Sequence, residues 1–392
     1  MTVVQDQVKR RHVFFLSGFD PKGAAYYHRL YSEQAALQGA VTGEEYEVSE
    51  RKTIHNGNAV WTVRSGITQT VYEYVRWDDI VRAHWPRGAW QVLTSSLRVY
   101  ALFLTMPLML RKVWRVANRT LVSLFFPAFY WLGLGLTAMA AACCAVWVWG
   151  MLLAKISGGA GVAGALVAGG VLAAGWQLEK RLHTSWLLRI FLFSDRHAMG
   201  QVPELSARWN GLAAQIRQAL LRPDVDEVLL VGFSVGSVGA VSAVARTVQG
   251  CADDRQALAK LSVLTLGHCI PLFALMPAAH ALRAELACVG GIQDVFWIDC
   301  SSPSDWGSFA LVDPVALCCA DSEAAAVNPR AMVSPRFHTL FDPVTYAQLK
   351  KDKRRMHLQY LMAGELPGTY DYFAWTAGAL GLRQRVLHKA VS

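Results

Sequence analysis

Ser234 is the residue best placed to do covalent chemistry. It stands at the centre of Gly232-Phe233-Ser234-Val235-Gly236, directly after the apolar run Val228-Leu229-Leu230-Val231 and before the small residues Gly239 and Ala240. A buried strand that ends in a sharp turn, lifts a serine at its tip and runs at once into a helix has this layout, a nucleophile elbow. The turn holds the serine in strained backbone, so its neighbours must be small. A serine hydroxyl is a weak nucleophile at neutral pH. It needs a base for its proton, a carboxylate to orient that base, and N–H donors for the oxyanion that attack creates.

The chain beyond Ser234 offers two acids and two bases. Asp299 closes the apolar run Val295-Phe296-Trp297-Ile298, and Asp305 lies in the loop Ser301-Ser302-Pro303-Ser304-Asp305-Trp306. His338 follows Pro335-Arg336-Phe337, expected just past the last strand, and His357 sits towards the end of a helix expected to start near Asp342. His268, in Gly267-His268-Cys269, reads as pocket lining or a helix cap. The other histidines form no metal-ligand spacing with carboxylates or cysteines. The eight cysteines include the pairs Cys143-Cys144 and Cys318-Cys319 but no C-x-x-C spacing, so reduced structural thiols are expected, with no metal and no cofactor.

Alternating strands and helices must position these groups. Strands are expected at His12–Leu16, Thr70–Trp77, Val228–Val231, Leu261–Leu266 and Asp294–Ile298. Helices are expected at Pro21–Leu37, from Asp78-Asp79 onward, and along Leu205, Trp209, Leu212, Ile216 and Leu220, which share one helical face. Asn56-Gly57 within Tyr46–Val63 is a type I′ hairpin signal. This alternation predicts an α/β fold with a mostly parallel sheet flanked by helices.

With these residues in view, the chain resembles the α/β-hydrolase superfamily, its lipase-like members in particular, over the first 80 residues and from about 205 to 360. The resemblance rests on Ser17-Gly18-Phe19 after the first strand, the Gly232–Gly236 elbow, a later acid and a late histidine, in the order Ser, Asp, His. It implies Val235 N–H as one oxyanion donor. The other would come from Phe19 N–H, where Ser17-Gly18-Phe19 replaces the His-Gly-x of many lipases. It favours Asp305 over Asp299, because the acid of such enzymes commonly lies several residues beyond the strand. It favours His357 over His338 through the tyrosine three residues on, Tyr360. The implied activity is that of a serine hydrolase, a lipase or esterase, with a lipid or other acyl ester as substrate. An acyltransferase using the same triad and a non-catalytic scaffold of the same fold are the alternatives.

The remaining segment has different physics. Thirty-five uncharged residues separate Arg119 from Lys155, whereas about 20 apolar residues span a bilayer. Gly161–Leu178 is a second apolar run, with small residues at Gly161, Ala165, Gly169 and Ala173 placed for close packing on the first. Together they predict a transmembrane hairpin over about 120–178, with Pro127 as a break or kink and Lys155, Ser157, Gly158 and Gly159 as its connection. Val99–Leu110 and Trp186–Phe193 read as interfacial. The expected organisation is 1–95 and 201–392 as two parts of one α/β domain, with 96–200 as a membrane-associated insert.

Composition agrees with membrane association: 53% of residues are hydrophobic and 17% charged, with a formal net charge of +9. No nucleic-acid-binding module accompanies that charge, and no nucleic-acid partner is expected. Arg111, Lys112, Arg115 and Arg119 precede the hairpin, and Lys180, Arg181 and Arg189 follow it. By the positive-inside rule both ends face the cytoplasm, with a bacterial inner membrane as the expected location.

Overall fold

A computed structural model describes residues 7–152, 159–251, 254–319 and 330–389. Lys155, Ser157 and Gly158 of the expected connection lie outside the described residues. The chain forms two compact units, one of Met1–Trp85 with Ser194–Ser392 and the other of Pro86–Phe193.

Among the described residues, the first unit is built on a nine-stranded sheet. Its strands are β1 (Arg10–Leu16), β2 (Glu47–Val48), β3 (Lys52–Thr53), β4 (Ala59–Ser65), β5 (Thr68–Tyr74), β6 (Glu227–Phe233), β7 (Leu261–Leu266), β8 (Phe296–Cys300) and β9 (Arg330–Val333). They lie in the order β2-β4-β5-β1-β6-β7-β8-β9, with β3 also paired to β4. From β5 to β9 every pairing is parallel, and only β2, β3 and β4 join antiparallel. Every residue of β6, β7 and β8 is buried, as strands covered by helices on both faces require. β4 instead alternates, burying Ala59, Trp61, Val63 and Ser65.

One buried ion pair fixes the central register. Arg11 sits opposite Glu227 across β1 and β6, and its Nε lies 2.7 Å from the Glu227 carboxylate. The same guanidinium donates to the carbonyls of Gly378 and Leu380, and Glu227 accepts from Leu382 N–H, which ties the C-terminal segment to the sheet centre.

Several boundaries depart from the sequence expectations. The first helix runs Ala24–Thr42, not Pro21–Leu37. Asp20 Oδ1 accepts from Lys22 N–H and holds Pro21-Lys22-Gly23 as a turn, while Gly43, at φ +77, closes the far end. Asn56-Gly57 forms no type I′ turn: Gly57 has φ +82, but Asn56 is not in the positive-φ region, and the loop spans 54–58. The tight hairpin lies further on, at Gly66-Ile67 between β4 and β5, where Gly66 takes φ +53. The amphipathic helix does form, as Glu204–Leu220, with Leu205, Trp209, Leu212, Ile216 and Leu220 all buried.

The second unit holds helices Ala89–Leu104, Pro107–Leu152 and Gly159–Leu182, then the start of Thr184–Ala198. Pro107–Leu152 and Gly159–Glu179 are long and apolar enough to cross a membrane, and their most apolar windows are only 6% and 11% buried. Pro127 does not break the first of them. The non-helical backbone is at Ala117 (φ −146, ψ 53), inside the basic segment, between Arg115 and Arg119. The expected Gly161/Ala165/Gly169/Ala173 stripe is not the contact face, since an added methyl at Gly161 or Gly169 meets only open space. Gly164 and Gly175 face the partner helix instead. A methyl on Gly164 would come within 3.2 Å of the Ala142 carbonyl oxygen, and one on Gly175 would strike Leu134. Val99–Leu110 is divided by the end of one helix and the start of the next, and Trp186–Phe193 lies inside Thr184–Ala198.

Candidate active site

The ends of β1 and β6 lie side by side, with Leu16 opposite Gly232. The chain runs from β1 towards β5 on one side and β6 lies on the other, so this is where strand order reverses. In open α/β sheets such a switch point leaves a crevice beyond the carboxyl ends of the strands. Ser17-Gly18-Phe19 leaves β1 there, and the elbow leaves β6.

Ser234 has φ +55, a left-handed conformation uncommon for a residue with a side chain. Close backbone approach explains why glycines flank it. A methyl at Gly236 would lie 2.6 Å from the Ser17 carbonyl oxygen and nearer still to that of Leu16, and one at Gly232 would lie 2.7 Å from Ser237 Cα. Helix Gly236–Gln249 follows at once, preceded by Val235 in αR geometry (φ −62, ψ −26). Val235 N–H therefore belongs to the helix N-terminus, whose first N–H groups have no partner within the helix and favour negative charge.

Gly18 presses against the serine: a methyl there would stand 3.1 Å from Ser234 Cβ. Ser17 is held from several sides. It is fully buried, its Oγ lies 3.2 Å from Tyr74 OH, and Trp77 Nε1 donates to its carbonyl at 3.0 Å. These contacts anchor the loop that carries Phe19, whose ring stacks on Trp85 with centroids 5.4 Å apart.

Asp305 and His357 come together. His357 Nδ1 lies 2.8 Å from Asp305 Oδ2, with both side chains buried. Asp305 Oδ1 accepts from Gly307 N–H at 2.9 Å, and Oδ2 also accepts from Tyr360 OH at 3.1 Å. Burial works to raise the Asp305 pKa, but the charge and hydrogen bond of His357 and the Gly307 N–H outweigh it and hold the carboxyl below its ordinary value. The His357 ring also packs on Phe233, the residue before the serine, at 5.1 Å between centroids.

The other candidates are elsewhere. Asp299 is fully buried and accepts from Thr265 Oγ1 (2.8 Å) and Ser301 Oγ (2.6 Å), with His268 Nε2 3.8 Å away. Burial raises its pKa, against the opposing effects of His268 and the two hydroxyls. His338 lies exposed on a 3₁₀ turn, Phe337–Thr339, near the Tyr346 ring. The single helix expected from Asp342 to His357 is two, Pro343–Leu349 and Lys353–Leu358, each capped by an aspartate, Asp342 and Asp352. The second cap starts a new helix whose last turn carries His357.

Ser234 Oγ makes no hydrogen bond to His357 among the described residues. Its side-chain partner is Cys269 Sγ at 3.7 Å. Cys269 is buried, its sulfur lies 3.4 Å from the Gly307 carbonyl, and burial pushes its thiol pKa up to about 12. Sequence reasoning missed both Cys269 and the role of Tyr360. For Cys269 the only signal was its place just after β7, the strand next to the elbow.

Among the described residues no group of three His, Cys, Asp or Glu side chains converges to hold a metal, and no cysteine is in a disulfide. No protein-family model matches this chain, and no curated protein or solved structure proves similar to it.

Proposed function

We propose that the chain is a membrane-anchored serine hydrolase of α/β-hydrolase type that cleaves an acyl ester, with a bilayer lipid as its substrate. One observation carries the reading: a hydrogen-bonded His357–Asp305 pair packs on the residue before a serine held at φ +55 between a parallel strand and a helix. Ser234 Oγ turns from Cys269 towards His357 and attacks the ester carbonyl carbon, passing its proton to His357 Nε2. Asp305 keeps the other ring nitrogen protonated and stabilises the imidazolium. Phe19 and Val235 N–H groups hold the oxyanion. The alcohol leaves with the proton from His357. Water then attacks the acyl-enzyme, giving up its proton to the same histidine, and the carboxylic acid departs as Ser234 regains its hydrogen.

The lipid assignment rests on the two long, apolar, exposed helices. Because both units belong to one chain, whatever anchors the second holds the first at the bilayer. The basic residues flanking the hairpin favour a cytoplasmic orientation at a bacterial inner membrane.

The test is labelling of detergent-solubilised protein with a fluorophosphonate probe, with Ser234→Ala alongside. Labelling that the substitution abolishes supports an activated serine, and an acyl-ester screen then separates water from alcohol acceptors. A folded wild-type protein that resists the probe, with and without added lipid, overturns the enzymatic reading. Membranes washed at high pH must retain the chain, or the anchoring fails.

A further inference from the structure

The second unit contains a cavity of about 360 Å³, within the ~300–1,000 Å³ range of small-ligand sites. Its walls are apolar at Val92, Leu93 and Leu188, aromatic at Trp131 and Trp176, and cationic at Arg87 and Arg189. This combination suits an amphiphile. One acid, Glu179, also lines it, but that carboxylate accepts from Ser185 N–H at 2.9 Å and shapes the corner between two helices. Arg189 is held in place by bonds to the Pro86 carbonyl and Ser185 Oγ, both 3.0 Å. Two cations against one acid leave the cavity net positive.

Its level along the helices is informative. The Trp131 and Trp176 rings lie 6.0 Å apart, and Tyr130 OH donates to the Gly175 carbonyl, so three aromatic residues stand at one height. From Trp131 to Leu152 the first helix rises about 31 Å, and from Gly159 to Trp176 the second rises about 26 Å. Both lengths approach the ~30 Å hydrocarbon core of a bilayer. The aromatic level is therefore where the core ends on the basic side, the depth at which Trp and Tyr meet headgroups.

We propose that this cavity binds the anionic head of an amphiphile drawn from the bilayer, with its acid group at Arg87 and Arg189. The inference rests on the membrane reading above. Two sources share the chemistry: an anionic phospholipid, or a fatty acid such as ester cleavage releases.

The experiment uses the full chain carrying Ser234→Ala, so that bound lipid is not turned over. The protein is placed in nanodiscs of phosphatidylcholine doped with phosphatidylglycerol or oleate, then released into mild detergent for native mass spectrometry. One tightly held anionic lipid per chain is expected. Retention of phosphatidylglycerol assigns the phospholipid source, and retention of oleate alone assigns the fatty acid. Arg87→Gln, at an exposed position, should lower occupancy fivefold or more. Equal retention of phosphatidylcholine, no retained lipid, or an Arg87→Gln variant that holds lipid as wild type does would overturn the site. Loss of the chain from high-pH-washed membranes would instead sink the membrane reading itself.

Discussion

Replacing Asp305 by Asn tests the site through its geometry. Asp305 Oδ1 is already bound by Gly307 N–H, so the new amide oxygen stays there and the NH₂ faces His357 Nδ1 and Tyr360 OH. The imidazole must then move its proton to Nε2, the nitrogen needed to accept from Ser234. The variant also loses a carboxylate 2.8 Å from the ring, whose attraction for an imidazolium is at most about 6 kcal/mol at an effective dielectric of 20. Solvent and the surviving dipoles return part of that, leaving about 4–5.5 kcal/mol, or a 10³–10⁴-fold loss of rate. The assay is the second-order rate constant for fluorophosphonate labelling of Asp305→Asn and Asp299→Asn at matched folding. A loss under tenfold for Asp305→Asn, or an equal loss for a folded Asp299→Asn, refutes the assignment. Acid stability gives an independent sign. The Asp305 pKa is held down in the fold, so its contribution is present above the unfolded value near 4 and fades as pH falls through the lowered one. Asp305→Asn should flatten the unfolding midpoint below about pH 4. Asp299, raised by burial, contributes in the opposite sense, with stability fully present below its unfolded pKa and lost as pH rises through the raised one.

Three further outcomes follow from the packing. Cys269, buried with its pKa near 12, should resist iodoacetamide at pH 8, where about one thiol in 10⁴ is ionised, and react only after denaturation; mass mapping of alkylated peptides reads this. Gly236→Ala would drive a methyl into the carbonyls of Leu16 and Ser17. It should lower stability by about 1–3 kcal/mol and abolish labelling even in the folded fraction, checked by thermal unfolding beside the probe. Arg11→Met strands the Glu227 carboxylate at the sheet centre and should cost about 3–5 kcal/mol, read as a fall in the denaturant midpoint.

What was legible in the sequence divides by range. The strand–turn–helix around Ser234 could be read because its signals are contiguous, and the steric demand for glycine at 232 and 236 is local. The amphipathic helix at Glu204–Leu220 could be read because its apolar period is unbroken. Asp305 and His357 were named only with rivals, since their pairing joins positions 52 residues apart that no local rule connects. Asp299 was a credible rival because a strand-end aspartate looks the same whether its oxygens meet an imidazole or the hydroxyls of Thr265 and Ser301. The small-residue stripe of the second apolar helix was misread by a few positions. Its run is so rich in Gly and Ala that spacing fits several faces, and only contact with Leu134 and Ala142 selects Gly164 and Gly175. Pro127 misled in the other direction, because a proline signals a kink that the helix carries instead at Ala117.

The contact between Ser234 and Cys269 bears on how such a site would switch from rest to attack. The φ of Ser234 is fixed by carbonyls packed against Gly236 and by Gly18 against its Cβ, so the backbone has no room to respond to a substrate. The side chain does have freedom, because a 3.7 Å contact to a thiol is a weak bond and rotation about χ1 gives up little. The same sulfur lies 3.4 Å from the Gly307 carbonyl, and Gly307 N–H holds Asp305. One glycine thus joins the side-chain partner of Ser234 to the carboxylate paired with His357. On the proposed reading, a substrate that displaced Ser234 from Cys269 would perturb a group tied to the Asp305–His357 pair. On the proposed mechanism, the backbone and the His357–Asp305 pair would be preorganised, and the serine hydroxyl would be the part that moves.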